Sequence, residues 1–182
     1  MLVHPPKARP GDRVAVVSPA FAAPAVGPAI HEQAMRRLAE LTDLEPVEYP
    51  TTRRLDATAE DRAADVNAAF ADPTIRAIVA TIGGDDQITV IPHLDAELIR
   101  RDPKPFVGYS DNTNLHDWLW RQGVASFYGG STQASVFVED GAKLLGLVAW
   151  SAFGLRTTLF AFGQAGMGAD ARAGTTRQAA LR

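Results

Sequence analysis

Between Gly11 and Gly130, apolar residues fall by turns into short continuous runs and into stripes of helical period. Arg13-Val-Ala-Val-Val-Ser18 is the clearest run, a valine-rich stretch of the kind that forms a parallel strand covered on both faces. Ser18-Pro19-Ala20 ends it, since proline has no N–H to give a ladder. Ala29–Leu41 follows, with Ile30, Ala34, Leu38 and Leu41 predicted on one helix face. Leu44–Tyr49 predicts a second strand. Thr58-Ala-Glu-Asp61 has the spacing of a capping box and opens a predicted helix to about Phe70, which Asp72-Pro73 stops. Ala77–Ile82 is the third strand, and the passage from Ile88 through Pro92-His-Leu-Asp95 to Arg101 reads as helical. Pro105–Gly108, a helix over Leu115–Gln122 beginning near Asn112 or Thr113, and a strand over Val124–Tyr128 complete the series.

Strands alternating with helices predict an α/β domain: a largely parallel sheet with helices on both faces, over residues 1–135. Ligands of such sheets gather at the carboxyl ends of the strands. Ser18, Gly83-Gly84, Ser110 and Gly129-Gly130 all fall at such ends, so they are expected on one rim. The pattern changes after Val136. Lys143–Phe162 is apolar apart from Lys143 and Arg156. An arginine well inside a membrane span costs roughly 2.5–3.5 kcal/mol, so 136–162 reads as a core or interface helix, with no membrane partner. Residues 163–182, rich in Ala, Gly, Arg and Thr, read as a flexible tail.

Composition removes several function classes. A net charge of -3, with basic residues in scattered pairs such as Arg36-Arg37 and Arg100-Arg101, argues against a nucleic-acid partner. With no cysteine, disulfides, thiolate catalysis and cysteine-bound metals are excluded. The N-terminus lacks the apolar core of a signal peptide, so a cytoplasmic location is the expectation. No Walker A or G-x-G-x-x-G pattern occurs.

The densest chemistry lies in Gly108-Tyr-Ser-Asp111, between a predicted strand and helix. A serine on such a turn raises its hydroxyl off the sheet beside the first amides of the helix, an arrangement suited to a nucleophile. Asn112 stands where the last glycine of G-x-S-x-G would be, and Ser, Asp and Thr are also capping residues, so a plain helix start is the competing reading. Across the predicted rim, Gly83-Gly84-Asp85-Asp86 follows the third strand. Two glycines allow close approach of a carbonyl and unusual dihedrals, but they also make an ordinary turn. Asp85 and Asp86 either orient this loop, bind a polar substrate end, or cap the next helix. No nearby histidine or further carboxylate completes a cation shell around them.

Taken together, Pro10-Gly-Asp-Arg-Val-Ala-Val-Val-Ser-Pro19, Ile82-Gly-Gly-Asp-Asp86 with Pro92-His-Leu-Asp95, and Pro103-Lys-Pro-Phe-Val-Gly-Tyr-Ser-Asp111 with Leu115-His116 and Phe127-Tyr-Gly129 resemble the LD-carboxypeptidase family of serine peptidases. That family includes muramoyltetrapeptide carboxypeptidases and hydrolases giving immunity to microcin C, and the Gly-Gly-Asp-Asp form looks more like the latter. The resemblance spans roughly residues 5 to 135 and implies a flavodoxin-like N-terminal domain. It implies Ser110 as nucleophile, the amides of Gly84 and Asp111 as oxyanion-hole donors, and Gly83 and Asp85 beside the substrate. The implied activity releases a C-terminal residue from peptide-like substrates, with no metal or organic cofactor. In the family the base, a histidine with its glutamate, comes from a C-terminal domain. His4, His31, His93 and His116 do not correspond to it, so the chain is expected to be weak or inactive alone. A non-catalytic peptide-binding or oligomerisation module, with a homodimer formed through the apolar segment, is the alternative. A degraded relative without function is a third.

Overall fold

The valine run lies at the centre of the sheet. In a computed structural model, which describes residues 1–133, β1 (Arg13–Val17) pairs in parallel with β2 (Glu45–Glu48) on one side and β3 (Ile75–Ala80) on the other. β4 (Phe106–Gly108) and β5 (Phe127–Tyr128) extend the sheet beyond β3, giving the order β2-β1-β3-β4-β5, all parallel. This is the flavodoxin-like order, whose direction of growth reverses between β1 and β3. The expected apolar helix 136–162 and the tail 163–182 lie outside the described residues.

Alternation along the strands decides which helices cover which face. Val14, Val16, Ala77, Val79 and Val107 pack with Ala34 and Leu38 of α2 (Pro28–Thr42), which follows the single turn α1 (Ala23–Val26). Ala15, Val17, Ile78, Ala80 and Phe106 point to the opposite face. There they meet Val66, Ala69 and Phe70 of α3 (Ala59–Ala71), Ile99 of α4 (Ala96–Arg101), and Leu115 and Leu119 of α5 (Thr113–Arg121). Each fully buried Val, Leu, Ile or Phe side chain contributes about 1.5–3 kcal/mol.

Local signals hold well at the α3 ends. Thr58 accepts from the Asp61 amide at 3.1 Å and Asp61 accepts from the Thr58 amide at 3.4 Å, a closed capping box. At the other end Asp72 is the extended C-cap, and buried Lys104 donates to the carbonyls of Ala69, Phe70 and Asp72 at 2.9, 2.8 and 2.5 Å. Burial lowers the pKa of this ammonium, and Asp102, 3.5 Å from Nζ, offsets part of that.

Three expectations need correction. The buried stripe of α2 contains His31, Ala34 and Leu38, while Ile30 and Leu41 are 46% and 45% exposed. The helix is thus turned so that His31 approaches Glu48 of β2, at 3.2 Å from Nε2. Burial lowers the pKa of the His31 ring, and the Glu48 carboxylate beside it offsets part of that. Second, β5 is shorter than predicted. Val124 pairs instead with Val3, and the N-terminal segment is stitched there by Val3 N to Gly123 O (2.7 Å) and Ala125 N to Val3 O (2.9 Å). Third, the passage after Asp86 is broken into two 3-10 turns, Gln87–Thr89 and Ile91–His93, before Asp95 caps α4 through the amides of Glu97 and Leu98.

Candidate active site

The two loops singled out in the sequence meet at the carboxyl edge of the sheet. β4 ends at Gly108, and the chain turns through Ser110 at φ +60, a left-handed conformation uncommon for serine. Ser110 is exposed, and its hydroxyl makes no hydrogen bond among the described residues. It does not cap α5, whose N-cap Asn112 also lacks a side-chain cap bond. The diglycine loop leaves β3 directly opposite. A Cβ placed on Gly83 would stand 2.7 Å from Ser110 Cβ, 2.9 Å from its Oγ and 3.2 Å from the Asp111 amide nitrogen. One placed on Gly84 would meet the Ala20 backbone at 3.0 Å. Neither glycine has a positive φ. The reason for glycine here is therefore space, rather than the unusual dihedrals expected from sequence.

A buried amide network laces the two loops together. Asp111 Oδ2 accepts from the Gln87 amide at 2.8 Å, and Asn112 Oδ1 accepts from Gln87 Nε2 at 2.6 Å. Asn112 Nδ2 donates to the carbonyls of Ile82 and Tyr109, both at 3.0 Å, while Gln87 Oε1 accepts from the Leu115 amide at 3.1 Å. Asn112 thus occupies the missing-glycine position because its side chain is needed as a bridge. It also packs on Gly108, where a Cβ would meet Asn112 at 3.0 Å.

The diglycine loop has a second anchor in a charge pair. Arg62 of α3, 7% exposed, makes a two-pronged contact with Asp86 (2.8 and 2.9 Å) and donates to the Ala20 and Pro19 carbonyls at 2.8 and 3.2 Å. These bonds hold the Asp86 carboxyl below its ordinary pKa. Of the alternatives raised for the acidic pair, Asp86 orients its loop and caps nothing. Asp85 is exposed, without a hydrogen bond or ion pair among the described residues.

Other rim residues have structural duties. Ser18 is buried and bonds Thr81 Oγ1 at 2.7 Å and the Thr52 carbonyl at 2.9 Å. His116 Nε2 lies 2.9 Å from the Gly108 carbonyl and Nδ1 lies 2.7 Å from Ser126 Oγ. A carbonyl only accepts, so Nε2 carries the proton and Nδ1 accepts from Ser126. Burial lowers the pKa of this ring, leaving it neutral. With both nitrogens engaged, His116 is not a base for Ser110. His93 stands 4.0 Å from Glu60 near the end of its 3-10 turn. Among the described residues no group of three or more His, Asp or Glu is arranged to hold a metal, and no helix is long and apolar enough to cross a membrane.

Sequence reasoning missed Arg62 and Gln87, and it quoted Tyr128 within Phe127-Tyr-Gly129 without a role. Their partners lie 24, 25 and 18 residues away, and no local pattern marks such pairs.

Residues 14–129 match the model of the LD-carboxypeptidase N-terminal domain. The chain belongs to the LD-carboxypeptidase family. A Streptomyces coelicolor relative named as a carboxypeptidase is 36% identical over 171 residues, covering 88% of this chain and 51% of the relative. One from Vibrio cholerae, also named as a carboxypeptidase, is 35% identical over 130 residues, covering 69% and 39% respectively. Among solved structures, an MccF-like protein of Bacillus anthracis superposes with a TM-score of 0.77 at 27% identity, over 83% of this chain and 47% of that one. Microcin C7 self-immunity protein MccF bound to aspartyl sulfamoyl adenosine gives 0.76 at 25% identity, over 87% and 48%. This LD-carboxypeptidase-family chain spans about 40–50% of the length of the relatives it matches.

Proposed function

We propose that this chain carries the nucleophile half of a serine-type LD-carboxypeptidase site. The single observation behind this is the exposed, left-handed Ser110 facing a diglycine loop close enough that any side chain at Gly83 would strike it. In the proposed reaction Ser110 Oγ attacks the carbonyl carbon of a C-terminal peptide-like bond as its proton passes to a base. The amides of Gly84 and Asp111 receive the charge that develops on the carbonyl oxygen. The Gly84 amide suits this role, since it donates to no described group. The C–N bond then breaks, the protonated amine leaves, and water hydrolyses the acyl-enzyme, returning the proton to Ser110. Gly83 and Asp85 border the substrate. No described histidine hydrogen-bonds Ser110, so the base is the partner that the family supplies from its C-terminal domain. The chain by itself then retains binding and the oxyanion hole, with weak turnover.

Substrates follow the relatives by proposal only. Murein peptides are suggested by a Bacillus subtilis relative named as a murein peptide carboxypeptidase, 32% identical over 82 residues. Peptidyl-nucleotides are suggested by MccF, whose solved complex holds an aspartyl sulfamoyl adenosine. Among the described residues the Ser110 hydroxyl has no hydrogen-bond partner and no base beside it, which also favours a second reading, a peptide-binding module without catalysis. A fluorophosphonate probe separates the two. With imidazole added as an external base, stoichiometric labelling at Ser110, absent in Ser110→Ala, supports the hydrolase; a wild-type chain that stays unlabelled even then supports the binding module.

A further inference from the structure

A serine keeps a positive φ only where its surroundings over-determine it. Two side chains grip the Ser110 backbone. The Thr113 hydroxyl donates to the Ser110 carbonyl at 2.5 Å, a local bond three residues long. The Ser110 amide donates to the Tyr128 hydroxyl at 3.1 Å, across 18 residues. That second bond exists only because β4 and β5 are paired, with Gly108 opposite Tyr128 in register.

Tyr128 is 59% exposed, so its ring needs a support if its hydroxyl is to stay in place. His116 provides one. The two rings lie 5.5 Å apart at a tilt of 48°, and Phe106 packs on the His116 ring at 5.1 Å. The imidazole cannot rotate, because Gly108 and Ser126 hold its two nitrogens. As the neutral ring described above, it keeps both bonds at neutral pH. Phe106, His116 and Tyr128 thus form a column running from the core to the backbone of the proposed nucleophile.

We propose that Tyr128 is a positioning residue for Ser110: its hydroxyl holds the serine amide and keeps the turn left-handed, with His116 as the platform under its ring. The inference rests on the reading of Ser110 as a nucleophile. Relaxation of the turn to negative φ swings Oγ away from Gly83, so losing the hydroxyl harms chemistry more than folding.

Tyr128→Phe tests this, since it keeps the ring and removes the hydrogen-bond acceptor. Two readouts are taken on the full chain: amide hydrogen exchange at Ser110, and the rate of fluorophosphonate labelling with imidazole added as an external base. Loss of one hydrogen bond should speed exchange at Ser110 by roughly two- to tenfold while amides of β1 and β3 stay unchanged. Labelling should slow by at least the same factor, with the Tm held. Ser110 exchange equal to wild type overturns the proposal, and so does faster exchange with an unchanged labelling rate. A wild-type chain that never labels, with the exchange effect intact, sinks the nucleophile reading and leaves the backbone grip standing. His116→Leu should also raise Ser110 exchange; no change there removes the platform from the proposal.

Discussion

The serine turn and the diglycine loop face each other across one rim, yet they are held by opposite means. The serine turn has an uncommon backbone, φ +60, and is gripped by hydrogen bonds without an ion pair among the described residues: through the hydroxyls of Tyr128 and Thr113, the amide of Asn112 and the Asp111 carboxylate. The diglycine loop has ordinary dihedrals but no spare volume, and it is anchored by charge through Arg62 and Asp86. Exposure of the Ser110 hydroxyl thus comes with a tightly specified backbone on one side and a tightly fitted one on the other. Pre-organisation here is a matter of sterics opposite the serine and of hydrogen bonding beneath it.

The largest break in this comparison should come from Gly83→Ala. The added methyl meets Ser110 Cβ, which is fixed to the backbone and cannot rotate away. Overpacking of this kind costs about 1–3 kcal/mol, read as a lower denaturation midpoint, and labelling of Ser110 should fall at least tenfold. Wild-type labelling in Gly83→Ala would show that the loop is looser than its contacts imply.

Arg62→Met is next. It leaves the carbonyls of Pro19 and Ala20 and the Asp86 carboxylate without their donor, a loss of about 1–2 kcal/mol by urea unfolding, since Asp86 is half-exposed. Arg62 holds Asp86 and not the serine turn, so exchange should quicken less at the Ser110 amide than at the Thr89 amide, which donates to the Asp86 carbonyl.

A sharper contrast comes from replacing Ser110, the proposed nucleophile. Ser110→Gly removes the hydroxyl and the positive-φ strain together, whereas Ser110→Ala removes only the hydroxyl. The glycine variant should therefore be more stable than the alanine variant by about 1 kcal/mol. Equal stabilities would mean that the turn stores no strain.

The smallest effect concerns pH. The Asp86 carboxyl has a lowered pKa in the folded chain, so the unfolded chain binds more protons as pH falls. The stability it contributes is present above the unfolded carboxylate value of about 4 and is lost as pH drops through the folded value. Asp86 is half-exposed, so the slope is shallow. Tm measured from pH 6 to pH 3 should fall less steeply in Asp86→Asn than in the wild type.

Some of this architecture was written locally along the chain. The valine run of β1, the Thr58–Asp61 capping box and the Asp72-Pro73 stop each act within a few residues, so their structural meaning needs no knowledge of neighbours. The family motifs likewise put Ser110 and Gly83-Gly84 at strand ends, and strand ends of a parallel sheet share one edge. Other features depended on strand order and pairing. The rotation of α2 that buries His31, the Gln87–Asn112 lacing, the Arg62–Asp86 anchor and the reach of Tyr128 to Ser110 all join segments distant in sequence. Periodicity reports which face of an element is apolar but not which polar atom will stand across from it. That pairing is set when β3, β4 and β5 come side by side and buried donors must find acceptors.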